Sequence, residues 1–243
     1  GERVWTINGQ WQRPFGTAAE YISLPSKLAV PLPDGIDEAV GACLGIPLLT
    51  AYHALTIDGD VSGQTIMVAG GAGAVGHYAV QIAKLHGAEV IATVSSAEKS
   101  AHAMAGGADH TINYKSERVG ERVQAITGGR GVDRIIEVDV AANAGLIPDV
   151  LRPGGTVVIY GSSNPIAEIP VLWCFRNDIT FRFFIMYQLI DEVRDAAATA
   201  INEFLKAGSL QHAIAKSYPL DDIAKAHEAV ESGKVMGNVV VEV

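Results

Sequence analysis

Between residues 64 and 99 apolar and polar positions alternate in blocks that one supersecondary unit explains. Residues 65–69 are an apolar run of strand length, too short for a helix. Val75, Ala79, Ile82 and Ala83 then recur at helical spacing, Gly87 is placed to stop that helix, and 90–94 is a second strand-length run. The turn between the first strand and the helix reads Gly71-Ala72-Gly73-Ala74-Val75-Gly76, a G-x-G-x-x-G. In such a turn the first glycine permits the bend, the second lets backbone approach a pyrophosphate, and the third lets helix and strand pack closely. Free N–H groups and the positive dipole end at the helix start favour phosphate.

The same rhythm continues downstream. Helices are expected at 101–105, 117–126 and 141–151, and strands at 110–114, 132–138, 156–160 and 179–186, with the pairs Gly106-Gly107, Gly128-Gly129 and Gly154-Gly155 as breaks. Strands alternating with helices give a parallel sheet covered on both faces, with the loops at the strand C-terminal ends as the binding edge. Upstream, 3–7, 17–24 and 28–31 read as short strands. A helical pair follows over 37–55, capped by Asp37 and interrupted at Gly45-Ile46-Pro47. Helices at 191–207 and 221–231 follow the sheet. Asp221 is the expected cap of the second and Gly233 its stop. An alternating strand, 239–243, has no place in the six-stranded sheet and is expected to return to the β layer of residues 1–31. The expected fold is α/β: a Rossmann-type doubly wound parallel six-stranded sheet plus a partial β domain formed by both chain ends. Its segments are 1–36, 37–187 and 188–243.

Composition narrows the function classes. The 243 residues suffice for a sizeable core, and 49% hydrophobic with 19% charged residues is a globular balance. A net charge of −9 argues against an electrostatic grip on nucleic acid or anionic membrane. No apolar run is long enough to span a bilayer and the start carries no signal peptide, so a cytoplasmic protein is expected. Cys43 and Cys174 lie apart in apolar contexts and read as buried thiols. No C-x-x-C or H-E-x-x-H is present, and no metal is expected.

The segment after the second strand selects the dinucleotide. An acidic side chain about 20 residues past the glycines would accept from a ribose 2′-OH. Here the segment is Ser95-Ser96-Ala97-Glu98-Lys99. Two hydroxyls and a lysine suit a 2′-phosphate, and Glu98, on the next helix, can point to solvent. The expected cofactor is NADPH.

The residues that distinguish this chain further are Cys43-Leu-Gly-Ile-Pro47, Ile112-Asn-Tyr114, Tyr160-Gly-Ser-Ser163 and Ala226-His-Glu-Ala-Val230, together with the glycine turn and the opening Gly1-Glu-Arg-Val-Trp5. In these the chain resembles the quinone oxidoreductase (zeta-crystallin-like) branch of the medium-chain dehydrogenase/reductase superfamily, along its full length. The resemblance implies a zinc-free NADPH reductase of quinones and α,β-unsaturated carbonyls, with the partial β domain belonging to a GroES-like substrate domain. It implies cofactor contacts at Thr50 on the nicotinamide side, at Ala72, Gly73, Ala74, Val75 and Gly76 in the phosphate turn, and at Ser95, Ser96, Lys99 and Tyr114 around the adenosine phosphate. Along the strand ends it adds Asn143, Tyr160, Gly161, Ser162 and Ser163, with backbone at Phe183, Phe184 and Ile185 for the carboxamide.

In that family a segment precedes G-x-R-V and completes the substrate domain. This chain is expected to lack it and to present an incomplete substrate pocket. Asn238 stands where relatives often carry a basic residue, and Ile46 near where zinc-holding relatives carry a cysteine.

No catalytic residue is assigned. Tyr52 could protonate a reduced substrate, but its spacing beside Leu48 and Leu55 is that of core packing, and His53 reads as structural or solvated. Gly128-Gly-Arg-Gly131 reads as a helix-ending turn. Glu137 and Asp139 are expected to line solvent near a ligand cleft. The strand 179–186 is too apolar for a free edge, so a homodimer through it is expected, as in the family. Alternatives are an enoyl-thioester or alkene reductase, an alcohol dehydrogenase-like enzyme, and a non-catalytic NADPH-binding protein.

Overall fold

The computed structural model describes all 243 residues. In chain order the elements are β1 (Val4–Thr6), β2 (Ala29–Pro31), α1 (Glu38–Gly41), α2 (Leu49–Thr56), β3 (Thr65–Val68), α3 (Ala74–Leu85), β4 (Glu89–Val94) and α4 (Ala97–Ala105). Next come β5 (His110–Asn113), α5 (Val119–Ile126), β6 (Val132–Glu137), α6 (Val140–Asn143), α7 (Ile147–Val150), β7 (Leu151–Ile159), α8 (Val171–Asn177) and β8 (Thr180–Phe183). The chain closes with α9 (Asp191–Lys206), β9 (Ile214–Pro219), α10 (Ile223–Glu231) and β10 (Asn238–Glu242).

Two compact units emerge, one of residues 51–72 and 76–185, the other of 1–50, 73–75 and 186–243. The first holds a six-stranded sheet in the order β5-β4-β3-β6-β7-β8, every pair parallel. The order reverses between β3 and β6, the switch point at which such sheets bind ligands. Its inner strands β3, β4 and β6 are mostly buried because helices cover both faces. Met67, Ile91, Ile112, Ile135 and Val157 pack on one face against Val119, Val123, Ile147 and Val150. Arg134, like Glu137, is a buried charged residue on β6. Its guanidinium donates to the Leu55 carbonyl at 2.9 Å and so holds the C-terminal turn of α2.

The helix expected over 141–151 is broken into α6, a 3-10 turn (Ala144–Leu146) and α7, with Gly145 and Pro148 inside the break. Helix α4 starts at Ala97, four residues earlier than expected, because Ser96 caps it by accepting from the Lys99 N–H at 3.2 Å. The sixth strand, β8, covers only Thr180–Phe183 of the expected 179–186. Gly128, Gly129 and Gly131 all take positive φ after α5, so that segment is a helix-ending turn, and its Arg130 pairs with Asp133.

The second unit departs more from expectation. Residues 17–24 form no strand: they find no partner in any ladder, and Tyr21 is fully exposed. The closing strand β10 does not join the layer of residues 1–31. It pairs in parallel with β9, while β1 and β2 make their own antiparallel pair. The two chain ends therefore share a unit but no sheet. Asp37 caps α1 as expected, accepting from the Ala39 N–H at 2.7 Å. Asp221 does not cap α10, because a 3-10 turn (Leu220–Asp222) places Asp222 at that position, without a side-chain cap.

Candidate functional site

Within the first unit the C-terminal ends of β3 through β8 form one edge. At the end of β3 the left-handed bend falls at Gly70 (φ 68°), one residue before the expected Gly71. The bend is sewn to β4, because Gly70 N–H donates to Thr93 Oγ1 at 3.1 Å and Gly71 N–H to the Thr93 carbonyl at 3.0 Å. Gly71 faces Ala92 so closely that a Cβ would sit 2.6 Å from the alanine methyl. A Cβ on Gly76 would overlap the Gly70 carbonyl oxygen, so only glycine lets α3 pack against the end of β3. Ala72 is buried in the same turn. Gly73, Ala74 and Val75 group with the other unit, where Gly73 bridges in parallel to Gly237, and Thr50, buried in α2, also belongs there.

At the ends of β4 and β5, Tyr114 N–H donates to the Val94 carbonyl at 3.1 Å and so sits beside half-buried Ser95. Ser100 Oγ and Thr111 Oγ1, 2.6 Å apart, tie α4 to β5. The Ser96 hydroxyl is engaged as the cap of α4. Glu98 is exposed, and hydrogen bonds from its own N–H and from Ser96 hold its carboxyl below the usual range.

At the switch point a cavity of about 290 Å³ opens below the edge. Met67, Ile135, Ile147 and Val150 line its depth, and Thr93, Tyr114, Glu137, Asp139 and Asn143 are also in its wall. Glu137 was expected at the solvent; it is 3% exposed. Burial raises its pKa, against hydrogen bonds from Asp139 N–H (2.6 Å) and Asn143 Nδ2 (2.9 Å) to its Oε1. Asp139 is half-buried and ties two loops together. Its Oδ1 accepts from Ala142 N–H, Ser163 N–H and Ser163 Oγ, which lowers its pKa. An acid directly after Ile135-Ile136, at the end of a switch-point strand, was the sequence signal for Glu137.

At the ends of β7 and β8, Tyr160 N–H donates to the Glu137 carbonyl at 3.1 Å, and burial pushes the Tyr160 phenol up. Gly161 passes so close to Val138 that a Cβ would overlap its carbonyl oxygen. Ser162 Oγ donates to the Asn164 carbonyl. Of the three backbone groups expected for a carboxamide, Phe184 N–H is already committed to the Ile159 carbonyl at 3.1 Å, and its ring meets His53 edge-on at 4.7 Å. His53 is thus a packed residue, and Tyr52 lies half-buried on α2. Phe183 and Ile185 stay exposed. Cys43 and Cys174 are both buried free thiols, and Asn238 is buried with its N–H on the Ala213 carbonyl.

The edge thus brings Tyr114 and Asn143 to one cavity, with Ser95, Ser96 and Lys99 at its β4 side and 160–163 at its β7 side. The glycine approach and the cavity fit a dinucleotide. No three His, Cys, Asp or Glu side chains come together in an arrangement that could hold a metal ion.

Comparison with known proteins agrees with this geometry. The model of a family described as zinc-binding dehydrogenase matches residues 74–203, more than half of the chain. A quinone oxidoreductase of Pongo abelii is 30% identical over 234 residues, covering 96% of this chain and 70% of the relative. A 2-haloacrylate reductase of Burkholderia sp is 30% identical over 250 residues, with 99% and 74% covered. The crystal structure of Escherichia coli quinone oxidoreductase complexed with NADPH superposes with a TM-score of 0.82 at 26% identity, covering 89% of this chain and 69% of that one. This chain belongs to the zinc-binding dehydrogenase family of the medium-chain dehydrogenase/reductase superfamily, among homologues of its quinone oxidoreductases.

Proposed function

We propose that the chain is part of an NADPH-dependent oxidoreductase that transfers hydride to a quinone or an α,β-unsaturated carbonyl, without zinc. The observation that carries the reading is the switch-point edge itself. It joins a glycine turn closed to any side chain, a β4 end with hydroxyls and a lysine but no carboxylate at its tip, and Tyr114 beside it. The NADPH-bound quinone oxidoreductase and the 2-haloacrylate reductase among its relatives support the same chemistry. NADPH supplies the hydride when bound. The chain's part is to bind and orient: the turn 72–76 offers backbone N–H groups to a pyrophosphate, and Ser95, Lys99 and Tyr114 meet a 2′-phosphate. The strand-end residues 160–163 and 183–185 flank the nicotinamide end. Positioning of this kind carries most of what hydride transfer asks of a protein. Ile46, near the place where zinc-holding relatives carry a cysteine, supports zinc independence.

The turnover assay follows NADPH oxidation with a benzoquinone, a haloacrylate and a crotonyl thioester. The account expects oxidation with the quinone or haloacrylate, unchanged by a chelator. Oxidation with the thioester alone, or activity abolished by the chelator, contradicts it.

We also read β8 as a dimer edge. Its outer side pairs with no strand, and Phe175 (79% exposed), Leu172 (72%) and Phe183 (62%) continue an apolar face beside it. An unpaired apolar edge is a template for a second strand. A dimer in sedimentation at micromolar concentration is expected, and a monomer there refutes the reading.

A further inference from the structure

Glu137 is the one carboxylate buried at the switch point, and its partners say what it does. Its Oε1 accepts from the Asp139 backbone N–H, a donor that cannot be exchanged, so this oxygen stays an acceptor. The second bond to the same oxygen comes from the Asn143 side chain. An amide facing an obligatory acceptor must present its NH₂, which leaves Oδ1 as the acceptor that Asn143 has to offer. Asn143 lines the same cavity and sits half-buried at the end of α6, held by its N–H on the Asp139 carbonyl at 3.1 Å. An asparagine alone is ambiguous, since its two ends are nearly isosteric and can exchange. The pair with Glu137 removes the ambiguity.

We propose that Glu137 is a positioning residue that fixes the polarity of the Asn143 amide, so that Asn143 presents an acceptor to a hydrogen-bond donor on the bound dinucleotide, a ribose hydroxyl or an amide NH₂. The inference rests on the reading of this edge as the NADPH site. It adds a residue that touches no ligand itself and acts through another.

The test is a double-variant series read by NADPH titration, using nicotinamide fluorescence, with thermal unfolding of each variant alongside. Asn143→Asp replaces the donor by a second carboxylate oxygen facing Glu137, and an affinity loss of about tenfold or more is expected for one broken and one repulsive contact. Glu137→Leu weakens binding by about tenfold, and Glu137→Gln recovers most of the loss because it keeps the acceptor. Lowering the pH toward 5 tightens NADPH binding by Asn143→Asp relative to wild type, because one shared proton bridges the two carboxylates. A merely structural Glu137 would give no such rescue and no such pH response.

Three results overturn the proposal. One is a Glu137→Leu loss that Glu137→Gln does not recover. Another is Glu137→Leu and Asn143→Ala effects that simply add. The third is wild-type affinity in Asn143→Ala. Wild-type chain that binds no dinucleotide overturns the underlying site reading as well, which separates the two failures.

Discussion

Replacing Gly76 with alanine is expected to lower the melting temperature by on the order of 10 °C and to reduce dinucleotide affinity far more than tenfold. The added methyl would overlap the Gly70 carbonyl oxygen, and it would also lie 2.8 Å from the Gly70 carbonyl carbon and 3.0 Å from Gly71 Cα. All three obstacles are backbone, so no rotamer change relieves them. Either α3 moves away from the end of β3 or the turn opens. Overpacking of this kind costs about 3 kcal/mol, which for a chain of this size is a shift of roughly 6–12 °C. The affinity loss is steeper because the turn that would deform is the one proposed to offer its N–H groups to phosphate. Gly145→Ala is the control: a Cβ there meets nothing within 4 Å and the backbone is not left-handed, so its stability should change by no more than about 0.5 kcal/mol. Differential scanning calorimetry of the two variants separates them. Equal melting temperatures would refute the packing argument.

Acid should unfold the sheet unit early, before most carboxylates titrate. His77 on α3 is buried and stacks on His102 of α4, ring centroids 4.1 Å apart, with His77 Nδ1 and His102 Nε2 both lacking a partner. Burial first, and then the neighbouring imidazole, lowers the His77 pKa to about 4, and burial lowers that of His102. These folded-state values lie below the unfolded one, so the unfolded chain binds protons first as pH falls. The stability is whole above about pH 6.5 and is lost on the way down to about pH 4. For His77 alone the loss reaches about 3 kcal/mol, or some 1.4 kcal/mol per pH unit. Burial lowers His53 and His212 as well, and they add to the same slope. Glu137, raised by burial, works the other way. Urea unfolding midpoints at pH 7.5, 5.5 and 4.5 measure the slope. His77→Phe, which keeps a stacking ring but takes up no proton, should flatten it by about one proton. A variant slope equal to that of wild type would show that His77 is not the group responsible.

Much of the sheet unit was legible because its strands are buried on both faces. Runs such as 66–69 and 90–92 are apolar throughout, and glycines at 87, 107 and 128 end the helices between the strands with left-handed backbone. The other unit offered weaker signals. Its strand β9, Ile-Ala-Lys-Ser-Tyr-Pro, buries only Tyr218, so neither a continuous run nor a clean alternation marks it. Residues 17–24 have strand composition, but composition cannot supply the neighbour whose N–H and C=O groups a strand needs. The partner of β10 was misjudged for the same reason, since β9 had not been recognised. Helix α8, Val171–Asn177, is largely exposed and lies just after a proline-rich approach, which hid it. The places of Ser95 and Tyr114 just past the ends of β4 and β5 were legible, because strand ends could be counted. The role of Glu137 was not, because it depends on an oxygen shared between a backbone N–H and an amide six residues on.

The most direct test of the central claim is titration of the chain with NADPH and with NADH, followed by nicotinamide fluorescence, for wild type and for Lys99→Ala. The account predicts micromolar NADPH affinity, at least tenfold tighter than for NADH, with that margin largely lost in Lys99→Ala. Equal affinity for the two dinucleotides, or tighter NADH binding, would contradict the assignment of Ser95, Lys99 and Tyr114 to a 2′-phosphate. Binding of neither would contradict the site itself.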